Sequence, residues 1–187
     1  MVINLFAVTL FSLFSTSVCQ TANELNVSAY LGRWYQVYSD LIVDATFENS
    51  SYCDTADYSL YPNGTISVLN RERQYSVTGV EREIFGWAQQ TNISEPGQLE
   101  VHLQTTWFGA PYWIYELGPQ TYNESMYEYS IVSDPFKATL FVLARNVSEF
   151  YEKWDTNVST TLKNLGFVNF YNKPIETIQT NCTYWSS

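Results

Sequence analysis

Over residues 30–40 the chain reads Tyr-Leu-Gly-Arg-Trp-Tyr-Gln-Val-Tyr-Ser-Asp, with side chains alternating at the period of a β-strand. Trp34, Gln36 and Tyr38 fall on one face, Arg33, Tyr35 and Val37 on the other. Gly32 lacks a Cβ and lets the backbone pack closely as the strand starts. The pattern predicts an opening strand whose Trp34 plugs one end of a barrel, with a single helical turn over residues 26–31 as a lid on that end. Residues 41–52 show no sustained period and read as a long loop.

Further strands follow at hairpin spacing. Residues 53–61 alternate, Pro62-Asn63-Gly64 supplies a tight turn because Asn-Gly tolerates positive φ, and residues 65–72 return with Ile66, Val68 and Asn70 inward. Residues 78–90 put Ile84, Gly86 and Ala88 on one face, and Phe85 and Trp87 on the other, an outward aromatic pair that invites a partner or a covering element. After Glu95-Pro96-Gly97, Leu99, Val101 and Leu103 alternate with Glu100, His102 and Gln104, and strands are predicted over residues 110–117, 127–133 and 139–146. Asn146 with Glu149 forms a capping-box pattern, and Phe150, Trp154, Val158, Leu162 and Leu165 recur at helical spacing before Gly166. This helix is expected on the outer wall, over the stray aromatics. A short extended piece, residues 167–171, precedes an irregular tail. Many short strands and one helix define an all-β antiparallel sandwich or barrel.

Composition narrows the setting. The 187 residues suit one domain, here residues 20–187 behind a signal peptide over residues 1–19, which are uncharged, apolar at their centre and small at Ser15, Ser17 and Cys19. Loss of Cys19 leaves Cys53 and Cys182, as a disulfide closing a 129-residue loop or as two free thiols. Glycosylation sequons stand at Asn26, Asn49, Asn63, Asn92, Asn123, Asn146, Asn157 and Asn181, where chance would give about three. Together these features predict a secreted extracellular glycoprotein.

The net charge of −10 and the absence of any basic run exclude nucleic acid and anionic membrane as partners. No active site assembles. His102 is the single histidine and faces outward, no phosphate loop or nucleophile elbow is present, and Glu81, Glu83, Glu100 and Glu116 read as solvated outer-face groups. The expectation is therefore a non-enzyme with no metal and no cofactor. An eight-stranded barrel is wide enough for one small ligand. The inward positions expected to touch it are Gln36, Tyr38, Tyr58, Val68 and Asn70 from the early strands, and Ile84, Val101, Leu103, Phe141 and Leu143 from the later ones. Composition leaves open whether they enclose a cavity or pack together.

Three segments carry a resemblance: Gly32-x-Trp34, Tyr129-Ser130-Ile131-Val132-Ser133-Asp134 and Leu143-Ala144-Arg145-Asn146 resemble the signature segments of lipocalins. Phe47-Glu48-Asn49, Val68-Leu69-Asn70, Leu99-Glu100-Val101 and Ala110-Pro111-Tyr112-Trp113-Ile114 extend the likeness toward one member of that family, from residue 26 to residue 182. The resemblance implies an eight-stranded up-and-down barrel with a C-terminal flanking helix that transports a fatty acid, sterol or similar lipid. It also implies that Arg145 lies across Trp34 at the closed end begun by Gly32, that Asn70 is a polar pocket position, and that Cys53 bonds Cys182. A second disulfide of that member is missing here, Phe141 replaces its pocket tryptophan, and Phe85 and Trp87 replace acidic residues. The alternative is an extracellular interaction protein using Phe85 and Trp87. Membrane or receptor contact is left open, as is the choice between a monomer and a weak homo-oligomer.

Overall fold

The computed structural model describes residues 21–185. The leader expected over residues 1–19 lies outside them. Eight strands run in sequence order, each antiparallel to the next: β1 (Gly32–Ser39), β2 (Ser51–Leu60), β3 (Ile66–Gln74), β4 (Val80–Gln90), β5 (Gln98–Leu103), β6 (Ala110–Leu117), β7 (Tyr129–Ser133) and β8 (Leu140–Ala144). Because β1 pairs with both β2 and β8, the sheet closes on itself and leaves no free edge. A two-residue strand, β9 (Ile175–Glu176), adds to the upper half of β1. The expected up-and-down barrel is present.

The Asn26 side chain accepts from the Ala29 N–H and caps α1 (Val27–Tyr30), the lid over the sealed end. At the other end a second short helix, α2 (Leu41–Thr46), stands where a loop was expected. Its signal is local: Asp40 accepts from the Val43 N–H and caps a segment of six residues, too short to display a 3.6-residue period.

Two apolar layers sandwich the sheet. Inside lie Trp34, Ala56, Tyr58, Val68, Leu99, Ile114 and Leu143; outside, Val37, Ile131, Leu140 and Val142 pack against Phe150, Val158 and Leu162 of the helix. That helix starts at Asn146, whose side chain accepts from the Glu149 N–H, and comprises α3 (Val147–Glu149), a π-helical turn (Phe150–Trp154) and α4 (Asp155–Leu165). Gly166 ends it at φ 94°, a conformation glycine adopts without strain.

Three expectations are corrected. Tyr38 does not share the face of Trp34 and Gln36, because the pairing of β1 with β8 shifts register between Gln36 and Tyr38. Such a shift reverses every side chain beyond it. Tyr38 accordingly packs edge-on to Phe150 and Tyr151, and its hydroxyl donates to Asp155 at 2.7 Å. The helix covers β1, β7 and β8, and does not reach Phe85 or Trp87. Residues 167–171 form turns, and the extended piece of the tail is β9.

Past β9 the tail crosses the outer face of β1 and β2. Cys182 bonds Cys53 there, and Gln179 Nε2 donates to the carbonyls of Gln36 and Asp54.

Candidate ligand-binding cavity

The barrel encloses a cavity of about 550 Å³. Its walls are built by alternation: Ala56 and Tyr58 from β2, Ile66, Val68 and Asn70 from β3, Ile84 and Ala88 from β4, Leu99, Val101 and Leu103 from β5. Of the positions expected to line it, Gln36, Tyr58, Val68, Asn70, Ile84, Val101, Leu103, Phe141 and Leu143 do so. Tyr38 does not, for the reason given above.

Trp34 seals one end with no exposed surface, its Nε1 donating to the Tyr30 carbonyl at 2.8 Å. The Arg145 guanidinium carbon lies 3.7 Å from the indole centroid, a cation–π contact. Its N–H groups donate to the carbonyls of Ala29, Leu31, Arg33 and Tyr127, so one side chain ties α1, β1 and the β6–β7 connection together. Burial lowers its pKa to about 10, still well above neutrality. Gly32, at φ 91°, leaves room for Arg145 Nη1, which an added Cβ would meet at 3.4 Å.

Above Trp34 sits a cluster of hydroxyls. Tyr30 bonds Tyr112 at 2.8 Å and Ser130 at 3.0 Å, and Tyr58 bonds Tyr112 at 3.1 Å. Four hydroxyls bring four donors, and these three bonds use three, so one O–H is left for an acceptor. Burial pushes Tyr30 up to about 12 and raises Tyr58 and Tyr112 as well, which keeps the cluster neutral. Tyr58 was expected in the cavity. Tyr112 was legible too, since it shares a face with Ile114 on β6. Tyr30 had no such signal because it projects from the helical lid.

A second polar group lies inside the mouth and escaped sequence reasoning. Glu48, following α2, accepts from Gln36 Nε2 at 2.5 Å; Asp54 is on β2; and Glu72 on β3 accepts from Arg82 at 3.2 Å. Burial is the main reason all three carboxyls titrate high. Repulsion from Asp54 also lifts Glu48, and repulsion from Glu72 takes Asp54 to about 7, while Arg82 partly offsets burial at Glu72. Between about pH 4 and pH 7 the folded chain thus holds protons that the unfolded chain has released, so stability falls as pH rises through that window. Asp54→Asn should flatten this fall and stabilise the protein at pH 8 by on the order of 2 kcal/mol. Thermal melts from pH 4.5 to 8 measure it, and a variant curve parallel to wild type would contradict it.

On the outer wall, Phe85 is 49% and Trp87 36% exposed. Trp87 stacks flat on His102, ring centroids 4.0 Å apart, so the neighbouring strand covers one face of the indole. Among the described residues no group of three or more His, Cys, Asp or Glu is placed to hold a metal ion.

A closed eight-stranded barrel sealed by a tryptophan–arginine pair, with a C-terminal helix on its wall, is the lipocalin architecture. Residues 25–171 match the family model of the lipocalin-like domain, and the chain belongs to that family. Within it the member that the sequence resembles is apolipoprotein D: the mouse protein is 38% identical over 121 residues, covering 59% of this chain and 61% of that protein. Outer membrane lipoprotein Blc of Vibrio cholerae is 34% identical over 124 residues, covering 66% of each. The chain thus spans less than two thirds of the length of these curated relatives. Lobster apocrustacyanin A1 superposes with a TM-score of 0.58 over 83% of this chain and 81% of its own, at 19% identity, a likeness of fold.

Proposed function

We propose that the protein is a secreted glycoprotein that binds a small hydrophobic molecule in its barrel and transports it by burial, without chemistry. The observation that carries this reading is the 550 Å³ cavity, whose wall is mostly aliphatic and aromatic and whose floor offers a spare hydroxyl donor. That volume falls within the range of small-molecule sites. The floor suits a lipid with a small oxygen-bearing head that accepts one hydrogen bond, such as a sterol hydroxyl or a fatty-acid carboxyl. A ligand losing about 300 Å² of apolar surface gains roughly 7–8 kcal/mol gross, which after the costs of association leaves an affinity in the micromolar range. The Cys53–Cys182 bond and eight exposed sequons support an oxidising, extracellular setting.

Val68 projects into mid-barrel beside Tyr58 and Gly86, where a larger side chain occupies the ligand's volume. Wild type should take up a fluorescent fatty acid and release it to competing lipids. Val68→Trp should bind the probe at least about tenfold more weakly, since its indole displaces the buried apolar contact, with an unchanged circular dichroism spectrum. Displacement by no lipid, or equal binding by the folded variant, would overturn the proposal.

A further inference from the structure

The connection from β2 to β3 is residues 61–65, Tyr-Pro-Asn-Gly-Thr. The Gly64 N–H donates to the Tyr61 carbonyl and the Tyr61 N–H to the Thr65 carbonyl, so a tight turn runs straight into a ladder bond between Tyr61 and Thr65. Pro62 presets φ at the second place of the turn, and Gly64, at φ 87°, takes the left-handed place that returns the chain to the ladder. Residues opposed across an antiparallel ladder put their side chains on one face, so Tyr61 and Thr65 project together. Asn63 joins them, because its Oδ1 accepts from the Thr65 N–H at 3.1 Å and from the Thr65 hydroxyl at 2.8 Å.

With Oδ1 held, the Asn63 Nδ2 has no partner among the described residues, and it is the atom that an N-linked sugar occupies. Beside it Tyr61 is 47% exposed, and its ring meets no other aromatic ring among the described residues. The other seven sequons lack this arrangement. Phe47 stands at the same spacing before Asn49, but it ends α2 in helical backbone, with φ −103° and ψ −36°, and lines the cavity mouth, so no ladder pair sets it beside that asparagine. The residues two places before the remaining six are Glu24, Gln90, Thr121, Ala144, Asp155 and Gln179, none of them aromatic.

We propose that Asn63 carries a glycan whose first N-acetylglucosamine lies on the Tyr61 ring and clamps the β2–β3 hairpin, so that the chain holds a sugar-binding site for its own modification. This rests on the reading of the chain as a secreted glycoprotein and gives one of its glycans a structural role. One face of the sugar presents only C–H groups. Laid on the tyrosine face, they are drawn to its negative π surface and cover apolar area that the ring otherwise exposes. The Thr65 bonds already fix the Asn63 side chain, so little rotamer freedom is lost when the sugar settles. In the unfolded chain nothing keeps Tyr61 and Asn63 on one face, and the contact therefore stabilises the folded state alone. The hairpin it clamps carries Ile66 and Val68 into the cavity wall.

Full-length protein from a eukaryotic secretory host that makes oligomannose glycans tests this. Glycopeptide mass spectrometry should find Asn63 occupied. Tyr61→Ser and Asn63→Gln should each lower the melting temperature by about 2–4 °C, the shift that a contact the size of one aromatic pair gives a chain of this length. The double variant should fall no further than the larger single loss, since both remove the same contact. Trimming with endoglycosidase H, which leaves one sugar at each site, should cost nothing, and in sugar-free protein refolded from a bacterial host Tyr61→Ser should be neutral. In NMR spectra the ring current of Tyr61 should move C–H protons of the first sugar upfield, a shift that Tyr61→Ser abolishes. Additive losses in the double variant, or a Tyr61→Ser effect equal with and without glycans, would overturn the clamp. Glycans at other sequons with Asn63 bare would overturn it alone, whereas a chain bare at all eight would take the glycoprotein reading with it.

Discussion

Trp34→Ala should lower the unfolding free energy by about 3–5 kcal/mol, the cost typical of removing a buried aromatic from a packed site. The indole has no exposed surface, and three things depend on it at once. Its ring closes the sealed end against Tyr30, centroids 5.1 Å apart; its Nε1 satisfies the Tyr30 carbonyl; and its face carries the Arg145 guanidinium. Alanine leaves a void under the cavity and a buried cation stripped of its ring. Arg145 would keep its four carbonyl partners, but these lie on segments that the indole holds in place. Denaturant titration measures the loss, and a midpoint matching wild type would contradict the role given to Trp34.

Replacing Cys53 and Cys182 together with serine should cost a comparable amount. The bond spans a sequence separation of 129 residues, and freeing a loop of that length in the unfolded chain is worth about 4–5 kcal/mol on the chain-entropy account. The folded state loses less, because the tail keeps other ties. Gln179 bonds the carbonyls of Gln36 and Asp54, Thr177 N–H donates to the Val37 carbonyl, and Tyr184 packs edge-on to Tyr35. The expected result is a fold that survives and melts lower by on the order of 10 °C. Melting unchanged by the double substitution, or by reduction of wild type, would show that the tail is held without the bridge.

The strands were legible because alternation and turn chemistry are local: Pro62-Asn63-Gly64 and Glu95-Pro96-Gly97 mark hairpins whatever lies around them. The cavity wall followed from the same alternation at Val68, Asn70, Ile84, Val101 and Leu103. It failed at Tyr38, since a register shift arises from pairing with β8 and leaves no mark in β1 itself. The pairing of Trp34 with Arg145, and of Cys53 with Cys182, joins residues more than 100 positions apart. Resemblance supplied the first, while for the second, cysteine arithmetic left free thiols open. The mouth carboxyls were hidden for a related reason. Glu48 sits in a stretch without period, and its approach to Asp54 and Glu72 exists only once β1, β2 and β3 are side by side. Phe85 and Trp87 were correctly read as outward, but their cover was sought in the helix, whereas Trp87 finds its partner in His102 on the next strand.

The central claim is that the barrel holds a hydrophobic molecule, and organic extraction of the protein purified from its native source, followed by mass spectrometry, tests it most directly. The account predicts a lipid recovered in near-equimolar amount from wild type and strongly depleted from Val68→Trp. A barrel that yields no lipid above control, and takes none up when lipid is supplied, would contradict it.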